Sequence, residues 1–329
     1  MLNLMAKFFE FIYRINKNKK KDIKKIEEKT VKTLTTILSI FKRISKNKKV
    51  KIIPSGLPST FIYNCKVCKK ESILLKDERL KYKLLYIKDI NNLTDDFIIF
   101  LHGTARDHTQ WLEKNGFGDQ FKEIFKDKHP AFASISVGMS YLIKDNLPFP
   151  YDVDLEKVFL EKIIPYIRNK LNKNGNIHLI GHSIGAFSAF NLGFKYPEIF
   201  KSVFAISPFL VKDSPFKSDF LYHKDAINNN PEWSYFIKYN LMYAFKDEDD
   251  WKMNNPYDLV DSIDSQKTPF IIITEAEKEL IGFNENIFYF LEKLNNKGLK
   301  YHYYKVKGDH HKSDIREAYK NFYRYLIKD

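Results

Sequence analysis

The stretch that decides the fold reads Ile177-His178-Leu179-Ile180-Gly181-His182-Ser183-Ile184-Gly185-Ala186. A largely apolar run up to Ile180 is typical of a buried strand, and the small residues from Gly185 onward begin a helical pattern. Between them lies Gly-x-Ser-x-Gly, in which glycines leave room for a serine on a sharp, strained turn from strand to helix. We therefore expect Ser183 to be a nucleophile exposed above a sheet, with the positive end of a helix dipole directed at it.

Strands and helices alternate on both sides of this turn. Several predicted strands are nearly continuous apolar runs, which is typical of strands covered on both faces. The predicted strands are 60–67, 80–87, 97–101, 131–137, 176–180, 202–206, 270–274 and 301–306, and the predicted helices are 155–171, 186–194, 285–294 and 314–325. This alternation predicts an α/β fold with a mostly parallel central sheet and helices on both faces.

Charge separates the chain into two parts. The 329 residues carry 55 Lys and Arg against 41 Asp and Glu, a formal charge of +14. Residues 1–50 hold 15 Lys and Arg and 4 Asp and Glu, so +11 of that charge lies in this segment. The rest is nearly neutral, which argues against nucleic acid as a partner of the catalytic part.

The domain organisation follows from this division and from a Pro/Ser/Gly break at 54–59. We predict a basic amphipathic helical extension at 1–50 and a catalytic domain at 51–329. The extension has two interpretations, peripheral contact with an anionic membrane or packing on the domain. An aromatic-rich insertion at about 212–251 is expected to be either a lid or a helical layer.

Two further patterns bear on the compartment. A secretory signal is not expected because Lys7, Glu10 and Arg14 interrupt the apolar N-terminal run, and no stretch is apolar enough to cross a membrane. Cys65 and Cys68 form a single CxxC, whereas a structural zinc site usually needs a second pair of ligands. We therefore predict a cytoplasmic protein in which this cysteine pair binds no metal. A peripheral contact with the inner membrane surface is left open for the extension.

A serine nucleophile needs a histidine base and a carboxylate that orients it, in the chain order Ser, acid, His for this type of turn. His310 and His311 follow the last predicted strand, and we prefer His310, with His311 as the alternative. Three glutamates, at 275, 277 and 279, follow the strand before it. We prefer Glu277 over Glu275, because a residue or two is needed before the side chain can turn towards the histidine.

The oxyanion of the reaction requires two backbone amides. One should belong to Ile184, the residue after the nucleophile, and the other to the loop after strand 97–101, where Gly103 allows close approach and Thr104 is the expected donor. The remaining candidates for the substrate pocket are His102, Gly103, His182 and Trp111.

At this point the sequence resembles the putative esterase family of the α/β-hydrolase superfamily, related to esterase D, feruloyl esterases and the antigen 85 mycolyltransferases. The resemblance covers about 85–329. It is carried by His102-Gly103, Asp107-His108-Thr109-Gln110-Trp111, Gly181-His182-Ser183, Ala205-Ile206-Ser207-Pro208 and Asn255-Pro256-Tyr257-Asp258-Leu259. The chain departs from the family at Ile184 and Ala186, where Met and Gly are frequent, and at the acid, which is frequently Asp.

The resemblance implies hydrolysis of a carboxylic ester or thioester of a small molecule, without metal or organic cofactor. The expected reaction forms an acyl-enzyme on Ser183. Two alternatives use the same fold: acyl transfer to an acceptor other than water, and a module without catalysis that retains the hydrolase fold for binding.

Overall fold

The structure, a computed structural model, describes residues 69–75, 80–88, 94–104, 106–126, 130–136, 154–223 and 231–327. The predicted extension at 1–50, the predicted strand 60–67 and the two cysteines lie outside the described residues.

Within the described residues, eight strands form one sheet in the order β1-β2-β4-β3-β5-β6-β7-β8. Strand β2 is antiparallel to β1 and to β4, and every other pairing is parallel. The prediction of a mostly parallel α/β sheet is confirmed. The strands are β1 Lys69–Leu75, β2 Leu80–Ile87, β3 Phe97–Leu101, β4 Ala131–Ser136, β5 Ile177–His182, β6 Phe200–Ile206, β7 Phe270–Lys278 and β8 His302–Asp309.

All four predicted helices are present, one of them with an interruption. The predicted helix 155–171 contains a π-helical turn, Phe159–Ile163, just before Pro165. Proline has no backbone N–H and cannot donate to the preceding turn, so regular α-helical bonding cannot pass through it. The α-helices are α1 Phe117–Phe125, α2 Leu155–Val158, α3 Ile164–Leu171, α4 Ile184–Lys195, α5 Pro231–Ala244, α6 Glu248–Asn254, α7 Pro256–Ser262, α8 Phe283–Asn296 and α9 Arg316–Leu326.

Apolar side chains on the two faces of the sheet form two cores. On strand β3, Ile98 and Phe100 point to a core shared with α1 and α9, whereas Phe97, Ile99 and Leu101 point to a core shared with α2, α3, α4 and α8. All five side chains are fully buried. Helices thus cover both faces, and both faces contribute burial that stabilises the fold.

The aromatic-rich segment at about 212–251 contains α5 and the start of α6. Its Phe220, Tyr222, Phe245 and Trp251 are buried in the same core as α4. This packing is what we expect of a helical layer on the domain, one of the two interpretations left open above.

None of the helices within the described residues is long and apolar enough to span a membrane.

Candidate active site

The Gly-x-Ser-x-Gly segment forms a turn of one residue between a strand and a helix. Strand β5 ends at His182, helix α4 begins at Ile184, and Ser183 lies between them with φ 56° and ψ −117°. A positive φ in a residue with a side chain is strained, and such strain persists where the surroundings hold it. The predicted turn is thus present at the carboxyl edge of the parallel strands.

Hydrogen bonds from strand β6, from the segment after it and from helix α4 hold the Ser183 backbone. Its N–H donates to the Ile206 carbonyl (3.0 Å), and its carbonyl accepts from Phe209 N–H (3.1 Å), Ala186 N–H (3.0 Å) and Phe187 N–H (3.2 Å). Ser183 is only 5% exposed, so it is buried and not exposed above the sheet as expected. The strained turn is fixed by contacts on both of its sides.

Two glycines close to the serine have no room for a side chain, because backbone atoms approach one of them and the buried His182 ring approaches the other. A Cβ on Gly185 would lie 2.1 Å from the Leu101 carbonyl oxygen at the end of β3. A Cβ on Gly103 would lie 2.5 Å from His182 Nδ1 and 3.4 Å from the Ser183 Cβ. The loop after β3 therefore lies directly against the turn, as the sequence predicts for the oxyanion loop.

His310 lies at the carboxyl end of β8 and carries a carboxylate partner. Its Nδ1 is 2.7 Å from Glu279 Oε2, and the two side chains are 4% and 0% exposed. Glu279 Oε1 also accepts from the Ala276 N–H at 3.0 Å. Burial opposes ionisation of Glu279, but the hydrogen bond and charge of His310 outweigh it and hold the pKa of this carboxyl below its ordinary value.

The sequence-based choice of acid needs correction, since the structure does not bring Glu277 or Glu275 to His310. Glu277 lies near the end of β7 and is exposed. Glu275 is buried, but its carboxylate accepts from Asn284 Nδ2 (2.6 Å) and the Tyr303 hydroxyl (2.8 Å). The partner is Glu279, two residues beyond the preferred choice.

The side chain of His182 is hydrogen-bonded to the loop of His310 and His311 after β8, which we call the histidine loop. Gln110 connects His182 in turn to the loop after β3. His182 Nε2 lies 2.7 Å from the His310 carbonyl oxygen, and His182 Nδ1 lies 3.0 Å from Gln110 Nε2. Gln110 Oε1 accepts from the Gly103 N–H at 2.8 Å. The sequence offered Gln110 only as part of a family landmark, because nothing in the pattern of a single buried amide indicates what it binds.

The amides expected to hold the oxyanion flank Ser183. Ile184 is the first residue of α4, and the first N–H groups of a helix have no acceptor within the helix. Thr104 is exposed on the loop that Gly103 holds against the turn, while the Gly103 N–H is engaged by Gln110. Both expected donors are thus on segments that meet at the serine.

The remaining candidates differ in their positions. Trp111 is 2% exposed, and its ring stacks on Phe132 at 4.3 Å within the core, so the prediction that it lines the pocket is wrong. His102 is buried beneath the loop, with Nδ1 2.8 Å from the Gly103 carbonyl oxygen. His311 is exposed beside His310, at 5.1 Å between ring centres.

His182, His310 and His311 bring one ring nitrogen each within 4.8 Å of one another, a spacing that a metal ion could bridge. Both nitrogens of His182 and one of His310 already have hydrogen-bond partners. A metal at this cluster would have to replace the bonds that hold the histidine loop, which disfavours a resident ion.

Solved structures similar to this one include several hydrolases. A ferulic acid esterase is 14% identical over 79% of this chain and 96% of its own, with a TM-score of 0.56. An S-formylglutathione hydrolase from Agrobacterium tumefaciens is 16% identical over 82% and 96%, with a TM-score of 0.57. The fluorophosphonate-binding serine hydrolase F of Staphylococcus aureus is 15% identical over 80% and 98%, with a TM-score of 0.54. At these identities the likeness establishes the fold, the α/β-hydrolase fold.

In sequence, no curated protein matches the chain. A family model does match, that of the family described as "Putative esterase", over residues 98–322. This range is more than half of the chain and contains every residue of the site described above. The chain therefore belongs to the putative esterase family and is an esterase of the α/β-hydrolase fold.

Proposed function

We propose that the protein hydrolyses a carboxylic ester or thioester through an acyl-enzyme intermediate, with Ser183 as nucleophile, His310 as base and Glu279 as the orienting acid. The observation that supports it most is the buried His310–Glu279 pair, joined at 2.7 Å, whose His310 carbonyl is bonded to His182, the residue next to Ser183. A strained serine, a buried histidine and a buried carboxylate are the parts that nucleophilic acyl transfer needs, and they follow one another along the chain as serine, acid and histidine.

In this mechanism the proton passes from Ser183 to His310, and the hydrogen bond between His310 and Glu279 supports that direction. Glu279 holds the proton of His310 on Nδ1, because an ionised carboxylate only accepts. The Nε2 lone pair of His310 is then available to take the proton from Ser183 Oγ as that oxygen attacks the substrate carbonyl. The carboxylate stabilises the imidazolium that forms, and its lowered pKa keeps it ionised at neutral pH.

The amides of Ile184 and Thr104 hold the oxyanion in this mechanism. Collapse of the tetrahedral intermediate releases the alcohol or thiol, which takes its proton from His310. Water then attacks the acyl-enzyme with His310 again acting as base, and the acid product leaves. The substrate is a small-molecule ester, and esters of ferulic acid and S-formyl thioesters, the classes that the names of two structural neighbours indicate, are the first to be tried.

Labelling with a fluorophosphonate probe, together with hydrolysis of a short p-nitrophenyl ester, tests this proposal. The wild type should be labelled, and Ser183→Ala should lose both labelling and hydrolysis because the attacking oxygen is gone. His310→Ala should lose them as well, since the hydroxyl is a weak nucleophile without its base. An unlabelled, folded wild type would refute the proposal.

A further inference from the structure

A series of buried hydrogen bonds links three loops that the reaction requires. It runs from the Gly103 N–H to Gln110 Oε1 (2.8 Å), from Gln110 Nε2 to His182 Nδ1 (3.0 Å) and from His182 Nε2 to the His310 carbonyl oxygen (2.7 Å). Gly103 is in the oxyanion loop, His182 precedes the nucleophile, and His310 is the base. The Gln110 and His182 side chains are almost completely inaccessible to water.

The two ends of this series determine how its middle is oriented. A backbone N–H only donates, so the oxygen of the Gln110 amide must face Gly103 and its NH₂ group must face His182. His182 Nδ1 must then accept, which leaves the proton on Nε2. A backbone carbonyl only accepts, and the Nε2 proton is the donor that the His310 carbonyl needs. Each bond is thus compatible with a single amide orientation and a single histidine tautomer.

Burial keeps His182 uncharged. Burial and the charge of the neighbouring His310 hold the pKa of His182 well below its ordinary value. The two rings are 4.9 Å apart between centres. A neutral His182 matters because His310 takes up a proton during the reaction, and a second positive ring at this distance would oppose that step.

We propose that Gln110 and His182 are positioning residues. They hold the histidine loop in place relative to the nucleophile and the oxyanion loop by fixing His182 as its Nε2–H tautomer. This inference rests on the proposed function for its catalytic consequence. The tautomer of His182 can be determined whether or not the protein is active. Small displacements of a base relative to its nucleophile are costly, on the order of a hundredfold per ångström.

The first test replaces Gln110 with leucine, which has a similar volume and cannot hydrogen-bond. Without the amide, His182 is free to exchange tautomers and to release the His310 carbonyl. We expect kcat for a p-nitrophenyl ester to fall about tenfold to a hundredfold while KM changes little, because ester binding does not use these bonds.

The matched control is Asn191→Leu. The Asn191 side chain is also fully buried and donates to the Asn254 carbonyl at 2.7 Å, but it lies about 12 Å further along α4 from Ser183, at 1.5 Å per residue. It should lower the free energy of unfolding without lowering kcat. If both variants lose kcat in proportion to their loss of stability, or if Gln110→Leu keeps the wild-type kcat, the inference is wrong.

The second test reads the tautomer directly by ¹⁵N NMR of the histidine rings. The wild type should show His182 protonated on Nε2 alone across the neutral pH range. Gln110→Glu, which keeps the acceptor for Gly103 but turns an oxygen towards His182 Nδ1, should add a proton at Nδ1. This variant also serves if the leucine variant fails to fold. A wild-type His182 protonated on Nδ1 would overturn the inference even if the probe labels Ser183. If the expected tautomer is found but Ser183 is not labelled, only the proposed function is overturned.

Discussion

Glu279 meets His310 because strand β7 does not keep a regular register to its end. The pairing of β7 with β8 is regular up to Ala276 and shifts between Ala276 and Lys278. Such an irregularity bends the strand and changes the direction of the side chains that follow. Glu277 consequently points to solvent, while Glu279 turns back to accept from the Ala276 N–H and to bind His310.

This geometry predicts a large difference between two identical substitutions two residues apart. Glu279→Gln should lower kcat by about 10⁴-fold, because an amide cannot hold the His310 proton on Nδ1 as a carboxylate does. Glu277→Gln, at an exposed position without contact to His310, should leave kcat near the wild-type value. Steady-state hydrolysis of a p-nitrophenyl ester measures both. Equal losses in the two variants, or a larger loss in Glu277→Gln, would show that Glu279 is not the acid.

The residues of the site were predictable to different degrees. Ser183 and His310 follow from a motif and from chain order, both of which are local properties of the sequence. Glu279 depends on a shift of strand register, which arises from pairing with another strand and leaves no periodic signal. Trp111 was misassigned because an aromatic residue near a loop looks the same in sequence whether its ring faces the substrate or the core.

At the scale of elements, helix α4 is packed so closely against the sheet that its first turn contacts backbone. A Cβ on Gly185 would lie 2.1 Å and 2.6 Å from the carbonyl oxygens of Leu101 and His102, on the strand that leads to the oxyanion loop. These oxygens belong to a buried strand end and cannot rotate away as a side chain can. The position of the helix therefore determines the distance between Ser183 and the oxyanion loop.

We predict that Gly185→Ala lowers the free energy of unfolding by about 1–3 kcal/mol, through overpacking, and abolishes fluorophosphonate labelling. The matched control is Gly193→Ala on the same helix, whose added Cβ meets a methyl group of Val203 rather than backbone. There the cost is offset by the higher helix propensity of alanine, about 1 kcal/mol, and labelling should persist. Urea denaturation measures the free energy of unfolding of both variants, and probe labelling measures the reactivity of Ser183. A Gly185→Ala protein with wild-type labelling would contradict this account of the turn.

The elements themselves were largely predictable, because burial on both faces of a parallel sheet leaves apolar runs of the right length. Strand β3 has the predicted bounds, and β5 and β6 differ from theirs by at most two residues. Strand β7 extends four residues beyond its prediction, through charged residues that periodicity assigns to a loop. The last residues of β7 are held in the sheet by pairing with β8. A prediction from local hydrophobic periodicity does not take account of a neighbouring strand.

At the scale of the whole molecule, chemistry and charge lie in different parts of the chain. The proposed catalytic residues fall between Thr104 and His310, and the family model covers 98–322. Residues 1–50 carry +11 of the net charge of +14. A basic segment next to an anionic membrane gains about 1 kcal/mol for each Lys or Arg near the surface, and salt screens that gain. The nearly neutral remainder has no comparable attraction.

We therefore predict that removal of residues 1–48 preserves ester hydrolysis and abolishes binding to vesicles of mixed phosphatidylserine and phosphatidylcholine. A full-length control with Lys19, Lys20 and Lys21 changed to serine keeps the apolar positions and removes three charges. Its vesicle affinity should fall by about 3 kcal/mol, roughly a hundredfold at low salt, with unchanged hydrolysis. Co-sedimentation and the p-nitrophenyl assay measure the two properties separately. Loss of hydrolysis in the truncated chain would mean that the segment packs on the catalytic domain as part of its fold. Vesicle binding that survives truncation would mean that the domain itself contacts the membrane.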